Sequence, residues 1–200
     1  MSPDSNRMLS PHRPEPRWRD HRQWRRAALP HTLVGWLLES GSMTRRLRQA
    51  CGGDGFSVRV LGQYRARPLP SEARLLGLPA RSQAWVREVQ LLCHGQPWLF
   101  ARTVIPLALL RGSWRGLKEL GSRPLGEVLF ADPRVHRGPL QLACIGAGQR
   151  LHRRAFGALP ETVGPLWGRR SLFHIGGGPL LVCEILLPDL VRGCHGCRGS

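Results

Sequence analysis

The chain has 200 residues, 42% of them apolar, with a formal net charge of +17 and a pI near 11.6. That length suits one domain with a real core and ragged ends, and no apolar run reaches the length of a membrane span, so no stable membrane insertion is expected. So basic a balance invites a nucleic-acid reading. However, every cation except Lys118 is an arginine, the arginines are scattered, and aromatic residues are not interleaved among them as stacking platforms. The skew reads as genome composition, and no nucleic-acid partner is expected.

Residues 1–29 carry Pro3, Pro11, Pro14 and Pro16 among seven arginines, without apolar periodicity, and read as a flexible basic arm. They contain no apolar core of signal-peptide length, and Asp4, Glu15 and Asp20 argue against an amphipathic presequence, so a cytoplasmic protein is expected. Order should begin at Pro30. Thr32 is placed to cap a short helix bearing Leu33, Trp36 and Leu37. After the break at Gly41, Ser42 caps a second over residues 43–50, ended by Gly52 and Gly53. Such a pair either packs passively or covers a pocket. Phe56, Val58 and Val60 alternate with polar residues into a strand reaching Arg65, and a proline-bounded connection follows with a helical turn at 71–76.

Residues 85–106, WVREVQLLCHGQPWLFARTVIP, alternate with period two on both sides of His94-Gly95-Gln96-Pro97, which predicts a hairpin with Gly95 at the first central position of a type II′ turn. Closing the turn between His94 and Pro97 pairs Cys93 with Trp98, Val89 with Arg102 and Arg87 with Val104. Directly opposed side chains share a face, so Arg87 and Arg102 should lie diagonally on one apolar face. Two guanidinium groups so placed need an anion between them, either a protein carboxylate or a ligand.

Short helices are expected over 114–120 and 125–130, a strand over 140–145, an exposed loop over 146–165, and a closing hairpin over 172–187 through Gly176-Gly177-Gly178. Residues 189–200 read as a disordered tail. The outcome is an α+β chain: one antiparallel sheet built from hairpins, covered on one face by short helices. Of the six cysteines, Cys93 and Cys183 fall within strands and read as reduced, buried thiols. Cys194 and Cys197 have CxxC spacing but no second pair to complete a zinc site, so no metal is expected. Glu184 stands alone in the apolar strand PLLVCEILLP. It is either ion-paired, with Arg87, Arg102 or Arg170 as candidates, or faces a small dry pocket where arginine holds an anion.

SMTRRL at 42–47, the 85–106 hairpin, RPLGEVLF at 123–130, LWGRRS at 166–171 and GPLLVCEILLP at 178–188 together resemble the bacterial chorismate pyruvate-lyases in order and spacing. The resemblance spans about residues 30–188, a catalytic domain. It implies helical flaps over an enclosed pocket, and cleavage of chorismate to 4-hydroxybenzoate and pyruvate as the entry step of ubiquinone biosynthesis. It also implies no metal or organic cofactor, and a monomer. By the same resemblance, Arg87 grips the ring carboxylate and Glu184, with Arg87 a catalytic residue, contacts the ring oxygen. Met43 and Leu125 line the pocket, partly through main-chain groups, and Arg102 holds the enolpyruvyl carboxylate. Ala101 stands where the family has glycine. The alternative is a non-enzymatic sensor, since the effector domains of a class of bacterial transcription regulators share this sheet. Those domains follow a winged helix-turn-helix, which residues 1–29 are too short and proline-rich to form.

Overall fold

The computed structural model of the chain describes residues 15–112, 114–156, 164–175 and 178–196. Its strands are β1 (Arg19–Asp20), β2 (Phe56–Ala66), β3 (Ala84–Cys93), β4 (Gln96–Pro106), β5 (His136–Arg137), β6 (Gln141–Ile145), β7 (Leu166–Ile175) and β8 (Gly178–Leu186). They form one antiparallel sheet in the order β1-β6-β7-β8-β4-β3-β2, with β5 pairing β7. The helices are short: α1 (Val34–Leu37), α2 (Met43–Ala50), α3 (Pro70–Leu75), α4 (Leu125–Ala131), α5 (Arg150–Phe156) and α6 (Pro188–Gly196). Ser42 caps α2 as its sequence predicts, its hydroxyl accepting from the Arg45 amide at 3.3 Å. The expected helix near 114–120 is a 3-10 turn at Arg115–Glu119.

Helices cover both faces of the sheet, not one. On the face bearing Val89, Leu91, Leu99 and Leu186 lie α1 and α2. On the other, the stretch expected as an exposed loop folds into α5, whose Leu151, Ala155 and Phe156 recur at helical spacing and are buried against Phe100, Ile145 and Ile185. Residues 157–163 of that stretch lie outside the described residues. Residues 1–14 of the supposed arm lie outside the described residues, but residues 15–29 also have a defined structure. There β1 pairs β6, Trp18 joins the core of the α5 face, and Trp24 meets Trp167 edge-on at 5.1 Å on the opposite face. One tryptophan on either side turns this segment into a strap around the sheet edge. At the other terminus α6 takes up residues 189–196 of the expected tail, because Leu190 is fully buried in the core beside Trp98, and residues 197–200, with Cys197 of the CxxC pair, lie outside the described residues.

Cys93 is not a free thiol: it forms a disulfide with Cys51, the residue that ends α2, across 42 positions of sequence. Cys183 is free and wholly buried, and burial pushes its pKa up.

The central hairpin departs from its expected register. His94 (φ 47°) and Gly95 (φ 80°) both occupy the left-handed region, so the turn is of the I′ kind and closes between Cys93 and Gln96. Leu92 faces Pro97 but Leu91 faces Leu99, leaving Trp98 as one extra residue on β4. Beyond that bulge Arg87 faces Thr103, and Arg102 faces Glu88. Arg102 therefore points to the face opposite Arg87. There its Nε and Nη2 donate to the Glu72 carboxylate of α3 at 2.8 and 3.0 Å, and its Nη1 donates to Glu88 Oε1 at 2.7 Å. Burial pulls the Arg102 pKa down, but the bonds and charges of Glu72 and Glu88 outweigh it and hold the pKa above the usual arginine value. Tyr64 Oη and Arg154 Nη1 complete the cluster on Glu88, at 2.6 and 3.0 Å.

Arg102→Met should therefore leave the buried Glu72 carboxylate without a cation, and Glu88 with Arg154 alone, and cost about 3–5 kcal/mol of stability. Urea unfolding of the purified variant measures this, and a cost below about 1 kcal/mol would contradict the structural role.

Candidate functional site

The face opposite Arg102 carries an enclosed cavity. Its floor is the sheet: Arg87, Val89 and Leu91 from β3, Ala101 and Thr103 from β4, Val182 and Glu184 from β8, and Phe173 from β7. Its roof is Met43 and Thr44 at the start of α2, with Leu125, Leu129 and Phe130 from α4. Four of the five residues singled out from the sequence, Arg87, Glu184, Met43 and Leu125, line this one space. Arg102 does not, since the bulge at Trp98 has turned it away.

Arg87 and Glu184 sit on strands either side of β4 and are offset by two residues along it, so their backbones stand roughly 10 Å or more apart. Each reaches inward from its own end. Arg87 is buried (3% exposed), and burial draws its pKa below the usual arginine value. Its Nη2 donates to the Gly121 and Arg123 carbonyls at 2.9 and 3.1 Å, while its buried Nε has no hydrogen-bond partner. No carboxylate pairs with it among the described residues. A buried guanidinium held only by carbonyls, with a donor left over, is arranged to receive an anion.

The Glu184 end is organised differently. Arg169 Nε donates to Glu184 Oε2 at 2.7 Å, so the pairing arginine is none of the three candidates from the sequence. Direct opposition of Arg169 and Glu184 across β7 and β8 explains the choice. Strand β8 takes in Gly178, which was expected in the turn, and counting back from Ile175 opposite Gly178 gives this pair. Arg169 also donates through Nη1 to the Glu39 carbonyl at 2.5 Å, tying the floor to the hinge between α1 and α2. Beside it Arg137 of β5 donates through Nε to Ser171 Oγ at 3.1 Å and through Nη1 to the Ser40 carbonyl at 2.9 Å, lying over the Phe173 ring. No sequence pattern marks Arg137, which stands in a two-residue strand within a polar connection.

The roof is closed. The cavity measures about 40 Å³, against roughly 300–1,000 Å³ for common small-molecule sites. Just outside, a groove of about 690 Å³ between α2 and α4 shares Gly126 and Phe130 with it. The two helices touch at Gly126, where a Cβ would come 2.8 Å from Thr44 Oγ1 and 3.0 Å from Ser42 Oγ. Arg48 of α2 and Glu127 of α4 bridge the groove at 2.6 Å. A ligand with a ring would therefore have to part α2 from α4 to occupy this cavity.

Comparison with known proteins gives these positions a context. The chorismate lyase family profile matches residues 17–192. A protein of Aromatoleum aromaticum named "Probable chorismate pyruvate-lyase" is 46% identical over 169 residues, covering 84% of this chain and 90% of that protein. One of the same name from Methylococcus capsulatus is 48% identical over 159 residues, covering 80% and 96%. Among solved structures, a GntR-family transcriptional regulator from Bacillus cereus aligns with a TM-score of 0.49 at 13% identity, over 68% of this chain and 93% of that one.

Proposed function

The chain belongs to the chorismate lyase family, and we propose that it is a chorismate pyruvate-lyase whose reaction takes place in the cavity beneath α2 and α4. It cleaves the enolpyruvyl ether of chorismate to 4-hydroxybenzoate and pyruvate, the step that opens the route to ubiquinone in many bacteria. The observation that carries this reading is the uncompensated guanidinium of Arg87 at one end of a closed apolar cavity with an ion-paired carboxylate, Glu184, at the other.

In this reading Arg87 takes the ring carboxylate, and the unmatched Nε supplies the donor that its carbonyl partners leave over. Met43 and Leu125 open α2 and α4, so their amides belong to helix starts whose N–H groups lack intrahelical acceptors and can bind substrate oxygens. Glu184, oriented through Oε2 by Arg169, presents Oε1 to the ring hydroxyl as an acceptor. Loss of the enolpyruvyl group and of a ring proton aromatises the ring, so the protein's task is to hold the ether in a reactive pose and to balance charge as it develops. Water is kept out by the cover, whose opening governs ligand exchange. We take the enzyme to be a cytoplasmic monomer; no helix among the described residues is long and apolar enough to cross a membrane.

The direct test is purified protein with chorismate and a chelator. Pyruvate and 4-hydroxybenzoate should appear at equal rates, and no turnover would refute the activity. Arg87→Ala should weaken 4-hydroxybenzoate binding by about 100-fold or more, as loss of charge-assisted hydrogen bonds predicts; calorimetric titration reads this, and unchanged affinity removes the assigned role. Glu184→Gln keeps the shape but not the charge, and should lower kcat by about 100-fold or more with the fold intact by circular dichroism. Gly126→Ala forces α2 and α4 apart, so product release measured by stopped-flow fluorescence should quicken while affinity falls.

A further inference from the structure

Chorismate carries two carboxylates, and Arg87 accounts for one. Arg102, the residue expected to hold the other, is committed to Glu72 and Glu88 on the far face. Two further guanidinium groups belong to the cavity face, Arg169 and Arg137. The charge of Arg169 is already matched by Glu184 on Nε, and its Nη1 donates to the Glu39 carbonyl. Arg137 differs. Its bonds all go to neutral oxygens, those of Ser171, Ser40 and Glu39, and it forms no ion pair among the described residues. It stands over Phe173, which lines the cavity, and shares the Glu39 carbonyl with Arg169, the partner of Glu184.

We propose that Arg137 is the second anion-binding residue of the site and holds the carboxylate of the leaving enolpyruvyl group. This inference rests on the lyase reading above. In the reaction the ring carbon–oxygen bond to the enolpyruvyl group breaks and its electron pair departs on the enolpyruvate oxygen. The neighbouring ring carbon that bears the hydroxyl loses its proton. The enolpyruvate gains a proton at its methylene carbon and becomes pyruvate, so the atoms of chorismate divide between the two products without water or an external electron. Negative charge therefore grows on a fragment that already has a carboxylate, next to the Glu184 carboxylate. A cation there offsets both repulsions and strengthens as the bond lengthens, because it acts on charge that the ground state lacks. Arg169 has its charge already balanced by Glu184. Arg137 can serve, since its guanidinium is held in place by carbonyls and a hydroxyl that carry no net charge. Burial and the neighbouring Arg169 draw its pKa down, while Glu184 and Glu39 counteract this; an arriving carboxylate relieves the same repulsion.

The assignment makes a distinction that a structural role would not. Arg137 touches the part of the substrate that is absent from 4-hydroxybenzoate. Arg137→Gln should lower kcat/KM for chorismate about 10- to 100-fold, while the Kd for 4-hydroxybenzoate stays within about twofold of the parent. Arg137→Lys keeps the charge without the planar fork and should recover part of the loss. A glutamine variant with unchanged kcat/KM overturns the proposal. So does a parallel fall in product affinity, which would mean that Arg137 acts only by supporting the α1–α2 hinge. If the glutamine variant does not fold, the lysine variant carries the test: its loss must again be confined to chorismate. A parent enzyme that leaves chorismate untouched would instead refute the lyase reading, a different outcome.

Discussion

Strands β3 and β4 meet in two registers, and the change between them lies at one residue. Near the turn Leu92 faces Pro97; past Trp98 the count shifts, and Arg102 faces Glu88 in place of Arg87. Side chains on a strand alternate with period two, so an insertion of one residue exchanges faces for everything beyond it. Without the bulge, both arginines would crowd one side of the sheet. With it, each face receives one guanidinium and treats it in its own way.

The two environments illustrate how burial and pairing divide structural from functional charge. On the α3 and α5 side, Arg102 has two carboxylates at 2.7 and 2.8 Å, and its charge is matched within the protein. On the cavity side, Arg87 rests on backbone carbonyls and keeps an unmatched Nε, and Arg137 likewise bonds only to neutral oxygens. A satisfied network resists any change of charge, whereas an under-compensated one gains from an anionic ligand. Glu184 stands between these cases. Arg169 neutralises one of its oxygens and aims the other, so a carboxylate persists in an apolar setting without collapsing onto Arg87.

The parts of this arrangement that were legible in the sequence are those fixed by local chemistry. Period-two alternation located the strands, Ser42 marked the start of α2, and an isolated glutamate in an apolar strand flagged the site. Segments whose order comes from tertiary contact were illegible. The strap through Trp18 and Trp24, α5 with Leu151 and Phe156, and α6 with Leu190 read as a basic arm, an exposed loop and a tail, because each contributes only one to three apolar residues to a surface built elsewhere. Register was the subtlest loss. A two-residue turn over His94 and Gly95 and a bulge at Trp98 fit the same string of alternating residues as the expected turn, and the Glu72 and Glu88 pairs with Arg102 accompany the observed register.

The Cys51–Cys93 disulfide gives the two halves of the cover unequal freedom. Helix α2 is pinned to the central hairpin at its far end by that bond, and at its near end by the Glu39 and Ser40 carbonyls that Arg169 and Arg137 hold. Helix α4 meets α2 through the exposed Arg48–Glu127 bridge, and the loop before it rests on Arg87. A lid built this way has a fixed jamb and a free leaf: a substrate admitted as proposed would enter where α4 lifts, and the same arginine that would grip an incoming acid also touches the loop before that leaf.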